Sequence, residues 1–157
     1  MTIKLLSVGK TDSKHLKSLT DEYTKRLGHF CKFTTTVIPD IKNSKKLEQN
    51  IQKIKEGELI LKRLKSSDIV ILLDENGKHF TSKGFAKFIQ KQLNTGKKQL
   101  VFIIGGPYGF SEEVYQRANY KVALSQMTFS HQMVRLFFTE QLYRAFSILH
   151  NQPYHHD

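Results

Sequence analysis

The chain has 157 residues, 39% of them hydrophobic and 25% charged, which suits one domain with a buried core and excludes a disordered segment. Lys and Arg outnumber Asp and Glu by 25 to 14, a net charge of +11, and such a charge favours polyanionic partners because each neutralised phosphate releases counterions. Cys31 is the only cysteine, so no intrachain disulfide or cysteine-built zinc site is possible, and no apolar run approaches the roughly 20 residues of a membrane span. The apolar run at the N-terminus is also too short for a secretory leader, so a cytoplasmic protein is expected.

Residues 3–8 form an apolar run closed by Gly9 and read as a buried strand. Asp12 or Ser13 can cap a helix whose Leu16, Leu19, Tyr23 and Leu27 step by three and four and which stops at Gly28. Residues 32–38 are β-branched and end at Pro39, as a strand does. Residues 44–65 are expected as one long amphipathic helix, with Leu47, Ile51, Ile54, Leu61 and Leu64 on its apolar face. Its other face carries Lys45, Lys46, Lys53, Lys55, Lys62 and Arg63, either a solvated surface or an RNA contact. Residues 69–73 read as a strand and Asp74-Glu75-Asn76-Gly77 as the turn after it. Thr81 can cap the next helix, which carries Phe85, Phe88, Ile89 and Leu93. Residues 100–104 form another buried strand and residues 105–110 a loop. Ser111-Glu112-Glu113 opens a short helix, its acids at the positive end of the dipole. A strand over residues 120–124 and a helix over residues 131–150 complete the chain. Continuous apolar strands alternating with helices indicate an α/β fold, a mostly parallel sheet flanked by helices, in a single domain over residues 1–157.

The chemistry-bearing segments crowd into the last third. Gly105-Gly106-Pro107-Tyr108-Gly109 follows a buried strand, where α/β proteins bind ligands; absent β-carbons let backbone approach a ligand, although a tight turn needs the same residues. It matches neither the dinucleotide GxGxxG pattern nor a phosphate loop. Leu124-Ser125-Gln126-Met127-Thr128-Phe129 offers apolar walls that suit an adenine ring and a sulfonium better than a triphosphate; the alternative is a loop packing Met127 and Phe129 into the core. His131 and Arg135 lie one turn apart on one helix face and can both face a phosphate or base edge, or His131 can be a structural hydrogen-bonder. The last helix is apolar nearly all round, which points to burial on two sides, one of them against a second subunit in a two-fold dimer. Glu140 and Arg144 form an i,i+4 pair on what remains polar. The tail Tyr154-His155-His156-Asp157 lacks the Cys or spaced carboxylate that would complete a metal site, so no metal is expected; Tyr and His suit a splayed base instead.

Taken in order, these segments resemble the SPOUT-class 23S rRNA pseudouridine N3-methyltransferases over essentially the whole chain. The resemblance rests on Val8-Gly9-Lys10, Glu22-Tyr23-Thr24-Lys25-Arg26-Leu27, Leu73 to Lys78 and Ile104-Gly105-Gly106. Most specific is Met127-Thr128-Phe129-x-His131-x-x-Val134-Arg135, followed by Glu140-Gln141-Leu142-Tyr143-Arg144-Ala145 and Tyr154-His155. Position 130 departs from the family, with Ser where Pro commonly precedes the His.

The resemblance implies a homodimer whose C-terminal part is tied in a trefoil knot holding S-adenosylmethionine. It implies that Leu73, Gly105, Gly106 and Leu124, Ser125, Gln126, Met127, Thr128 and Phe129 line the cofactor site. His131, Arg135, Arg144, Tyr154 and His155 then face RNA, with the tail of one subunit completing the site of the other. The implied reaction is methylation of N3 of pseudouridine 1915 in helix 69 of 23S rRNA on the assembled ribosome. His155 or His131 would take the N3 proton and Arg135 would steady charge on the ring oxygens. Lys53 and Lys62 are expected to dock the ribosome. Two other readings stand beside it: a non-catalytic basic RNA-binding module, and a nucleotide hydrolase, which lacks the lysine and acidic partners for phosphates and magnesium.

Overall fold

The computed structural model describes residues 1–42 and 44–156. Five strands, β1 (Thr2–Val8), β2 (Lys32–Ile38), β3 (Ile69–His79), β4 (Gln99–Ile104) and β5 (Tyr120–Ala123), form one sheet in the order β2-β1-β4-β3-β5. Each of the four pairings is parallel. The helices are α1 (Lys14–Leu27), α2 (Gln49–Leu61), α3 (Ser82–Leu93), α4 (Glu112–Arg117) and α5 (His131–Leu149).

The central strands β1 and β4 and the first half of β3 read as continuous apolar runs because both sheet faces are covered there, whereas the edge strand β2 is mostly exposed. Ile69 and Ile71 of β3, and Leu100, Phe102 and Ile104 of β4, join one core with Leu27, Phe85, Ile89, Phe138, Leu142 and Phe146 from α1, α3 and α5. Val70, Leu72, Val101 and Ile103 point the other way, toward Ile60 of α2, Phe110 of the glycine loop and Val114 of α4. This alternation is the period of two that a strand imposes. Since every strand runs the same way, Val8, Ile38, Leu73, Ile104 and Ala123 all end near one edge of the sheet.

Ser13 and Thr81 cap α1 and α3 as expected, accepting from Leu16 N at 3.3 Å and Gly84 N at 3.1 Å. Two expectations are corrected. Residues 44–65 are not one helix: a 3-10 turn at Ser44–Lys46 is followed by an extended Glu48 before α2 begins. At its far end Arg63 N bonds Ile60 O and Leu64 N bonds Leu61 O, tight three-residue links that close the helix early. Its buried face also differs from the apolar stripe. Gln52, Glu56, Gly57 and Ile60 are buried, while Ile51 and Ile54 stand 42% and 40% exposed. Gly57 explains this orientation: a β-carbon there would strike Ser111 Oγ and lie 3.3 Å from Val114 Cγ2, so α2 rests against α4 on its smallest residue.

The second correction concerns β3, which runs through the expected turn to His79. Asp74 does make a turn bond, Asp74 Oδ1 accepting from Asn76 N at 2.8 Å. The chain then re-pairs, so that Leu73 and Lys78 both register with Val122 of β5 across a bulge. Among the described residues no helix is long and apolar enough to cross a membrane.

The orientation of α2 yields a stability test. Ile60→Ala should cost about 2–5 kcal/mol in urea unfolding, as a buried large-to-small change does. Ile51→Ser and Ile54→Ser should each stay within about 0.5 kcal/mol of the parent, despite lying on the more hydrophobic stripe.

Candidate active site

A cleft of about 860 Å³ opens at the carboxyl edge of the sheet. Its floor and walls come from the ends of β3 and β4, the glycine loop, the loop after β5, and the start of α5, with Glu48, Gln49, Asn50 and Lys53 of α2 and its approach on the rim. Leu73, Gly105, Gly106, Leu124, Ser125, Met127, Thr128 and Phe129 all line it, and so does His131; among the expected cofactor residues only Gln126 does not. Two segments far apart in sequence are thus walls of one cavity.

Local bonds shape the loop after β5. Met127 N donates to Ser125 Oγ at 2.9 Å, and Thr128 Oγ1 donates to Glu75 Oε2 at 3.0 Å, tying the loop to the bulge of β3. Met127 is nonetheless 73% exposed and Phe129 stays at the surface, so neither fills the core. Ser130 caps α5 with φ −61°, accepting from Met133 N at 3.4 Å. That φ is the value proline enforces, so the serine reaches the same backbone entry and adds a cap.

The charge of the cleft opposes that of the chain. Glu48, Asp74 and Glu75 line it against Lys53 and His131, on a protein of net charge +11. Tyr115, also in the lining, donates to Asp74 Oδ2 at 2.5 Å. Burial and this bond push its phenol well above the ordinary range, so it remains a donor. An acid-rich cavity with apolar walls suits a compact organic cation.

Behind the glycine loop sits Glu56, 2% exposed. Its Oε1 accepts from Gln52 Nε2 at 2.9 Å, while Oε2 has no hydrogen-bond partner. A β-carbon on Gly106 would strike that Oε2, so only glycine lets the loop lie against the carboxyl group. Burial raises the Glu56 pKa, opposed by the Gln52 bond; Asp40 raises it further and His131 lowers it. Nothing in the hydrophobic pattern marked Glu56, which lies on the side of α2 the pattern reads as polar.

The expectation that Arg135 faces RNA meets a different arrangement. Arg135 is 4% exposed, and its NH2 donates to Val8 O at 2.8 Å and Gly9 O at 2.7 Å while NH1 donates to Thr11 Oγ1 at 2.8 Å. Its Nε has no hydrogen-bond partner, and burial pulls its pKa down against the pull of Asp40 and Asp12. Gln132 Oε1 accepts from Asp12 N at 3.0 Å and Ser13 N at 3.1 Å. The first turns of α5 therefore grip the link between β1 and α1, which holds His131 at the cleft; Arg135 is corrected to a residue that positions others.

Arg144, Tyr154 and His155 do not line the cleft of their own chain. Arg144 Nε and NH2 reach Glu140 Oε1 at 3.1 Å and 2.6 Å, and its NH1 lies 3.4 Å from His155 Nδ1. Tyr154 OH donates to Glu140 Oε1 at 3.0 Å. From His131 to Glu140 the helix climbs roughly 14 Å at its rise of 1.5 Å per residue, so the tail sits well away from its own cleft. Lys53 is on the cleft rim, whereas Lys62 lies beyond the far end of α2. Asp157, the last residue of the expected tail, is outside the described residues, and among those described no cluster of three or more metal-ligating side chains occurs.

The fold and this cleft define a class: the chain belongs to the SPOUT methyltransferase family, whose profile, described as Predicted SPOUT methyltransferase, matches residues 1–155. More narrowly, it is 64% identical over 156 residues to a Christiangramia forsetii protein named Ribosomal RNA large subunit methyltransferase H, covering 99% of each chain. A Flavobacterium johnsoniae protein of the same name is 63% identical over the same share of both chains. A solved structure, described as that of a probable methylase family protein from Haemophilus influenzae, superposes with a TM-score of 0.56 at 12% identity; it covers 99% of this chain and 70% of that one, which shows a shared fold.

Two measurements check these assignments. Arg135→Met keeps the apolar stem and removes the donors, so it should cost about 3 kcal/mol in denaturant unfolding, the scale of a lost buried charged hydrogen-bond hub; an unchanged midpoint would return Arg135 to a purely chemical role. For Glu56 the folded pKa lies above the unfolded one, so its stabilising contribution is fully present below the unfolded value near 4.5 and is lost as pH rises through the folded value. Glu56→Gln should accordingly raise the melting temperature at neutral pH, and that advantage should shrink as the pH is lowered toward 4.

Proposed function

We propose that this protein transfers a methyl group from S-adenosylmethionine to N3 of pseudouridine 1915 in helix 69 of 23S rRNA, acting as a homodimer on the assembled ribosome in the cytoplasm. The observation that carries this reading is the coincidence of full-length family membership with one acid-rich, apolar-walled cleft made from the glycine loop and the loop after β5. Leu73, Ile104, Leu124 and Val134 supply apolar walls for an adenosine. Glu48, Asp74 and Glu75 supply negative potential for a ligand carrying a sulfonium and an ammonium. The same resemblance implies that the chain here is threaded as a trefoil knot.

When bound, the cofactor supplies an electrophilic methyl group; the rest falls to the protein. The cleft aligns the two reactants and excludes water. The N3 proton must leave as the N–C bond forms, and an imidazole is the suitable acceptor at neutral pH. His131 stands at the cleft and His155 is brought by the tail, so the base is one of these two. Tyr154 is not that base: burial and its bonds to Tyr23 and Glu140 push its ionisation far up. With Arg135 turned inward, Arg144 is the cation for charge developing on the ring oxygens. Lys53 and Lys62 serve ribosome docking.

Two features favour a site shared between protomers. The tail packs on α5 about nine residues beyond His131, roughly 14 Å of helix rise, and neither Tyr154 nor His155 lines its own cleft. Next to the cleft, Met127, Phe129 and Phe137 leave an exposed apolar patch, the two phenyl rings 4.9 Å apart, of the kind that a second copy covers.

Calorimetry should detect S-adenosylmethionine binding to the parent; absence of binding would favour the non-catalytic RNA-binding module. On ribosomes lacking the modification, His131→Ala or His155→Ala should cut methylation about 100-fold or more, the scale of a lost general base. If both variants keep full activity, the assignment of the base fails. Mixing a tail-dead protomer, His155→Ala, with a cleft-dead one, Gly105→Asp, should restore activity that neither homodimer has.

A further inference from the structure

We propose that Tyr23 and Glu140 are positioning residues, forming a seat that holds the Tyr154–His155 tail in one orientation on α5; this deepens the methyltransferase reading above and rests on it. The turn that makes the seat reachable is local. Asn151 takes the left-handed conformation at φ 53°, with Asn151 N bonded to Ile148 O at 3.1 Å and Gln152 N to Ser147 O at 2.9 Å. This double link, a Schellman helix end, reverses the chain so that Pro153 and Tyr154 run back along α5.

Tyr154 then meets a directed chain of hydrogen bonds. Tyr23 OH lies 3.1 Å from Tyr154 OH, which itself lies 3.0 Å from Glu140 Oε1. A carboxylate can only accept, so Tyr154 donates to Glu140 and Tyr23 donates to Tyr154. Glu140 is the hub: Oε1 also receives Arg144, and Oε2 receives Gln141 Nε2 at 2.8 Å. The Arg144 guanidinium lies 4.7 Å from the centroid of the Tyr154 ring, and Tyr143 packs edge-on against that ring at 4.7 Å. Tyr23 is fixed in turn by the Tyr143 ring at 6.0 Å and the Arg26 cation at 5.2 Å.

A chain end normally frays, and an aromatic–imidazole pair on a fraying end would have to be ordered during each turnover. The seat orders it beforehand, so a tail presented to a partner's cleft arrives with its ring and imidazole already aimed. Tyr23 belongs to α1 and does not line the cleft, and its hydroxyl bonds Tyr154, so it acts through Tyr154. The energetic weight of one such neutral hydrogen bond corresponds to roughly a three- to ten-fold change in rate.

Tyr23→Phe isolates this effect, because it keeps the ring packing and deletes one hydroxyl. Steady-state methylation of unmodified ribosomes should show kcat lowered about three- to ten-fold with KM for ribosomes and calorimetric S-adenosylmethionine affinity unchanged. Amide hydrogen exchange over residues 151–156 should quicken, while the melting temperature stays near that of the parent. Tyr154→Phe should show a similar loss, and the double variant should lose little more than either single one, since both cut the same bonded chain. Parent-like kcat in Tyr23→Phe, or unchanged exchange in the tail, overturns the seat. So does an equal loss of kcat, cofactor affinity and melting temperature together, which would mark Tyr23 as mere packing. If the parent neither binds S-adenosylmethionine nor methylates ribosomes, it is the underlying functional reading that fails, and tail exchange in Tyr23→Phe still decides whether the seat exists.

Discussion

A buried guanidinium fastens the last helix to the sheet, and the cleft depends on it. Parallel strands deliver five carboxyl ends to one edge, but an edge is not a site until something walls it. Arg135 bonds the carbonyls of Val8 and Gly9, at the end of β1, in buried surroundings, and the half-buried hydroxyl of Thr11. The carbonyls give the buried cation the acceptors that its burial demands. Each side compensates the desolvation of the other. Because Arg135 lies one turn after His131, the same bond fixes where the imidazole meets the cleft.

The cleft reverses the electrical character of the chain that carries it. Lysines dominate the surface, which serves attraction to a polyanion at long range. Carboxylates gather in the cleft, at Glu48, Asp74 and Glu75. One protein thereby accommodates an anionic polymer outside and a cationic cofactor within. Glu56 extends the pattern below the surface, at a cost to stability, since a buried carboxyl with an unpartnered oxygen resists ionisation. Its position under Gly106 links the shape of the glycine loop to α2, the helix whose orientation Gly57 sets.

The end of α5 sets where the tail lies. The Schellman turn at Asn151 sends Tyr154 and His155 back over their own helix, onto Glu140, rather than forward. Seated there, they are bonded to their own helix and do not line the cleft on the same chain. Arg144 changes part accordingly: paired to Glu140 and stacked on Tyr154, it belongs to the tail platform before it can belong to RNA.

Much of the architecture was legible from local pattern. Apolar or β-branched runs mark the strands, Ser13 and Thr81 mark helix starts, and the glycine loop and the loop after β5 stand out as candidate pocket walls. These signals are local: propensity, capping and the period of two act over a few residues. The errors share one cause. Of the apolar stripe expected on α2, Leu61 and Leu64 pack against the core but Ile51 and Ile54 stay exposed, because Gly57 brings its own face of the helix onto α4. The turn at Asp74–Gly77 formed, yet β3 continued because β5, forty residues later, offered it a second register. Arg135 and Tyr23 took their parts from partners more than 120 residues away. Sequence alone determined most of the elements, their order and the two segments that wall the cleft. Tertiary structure decided which charges are spent inside the fold and which line the cleft, because burial and pairing are properties of packed neighbours and not of residue type.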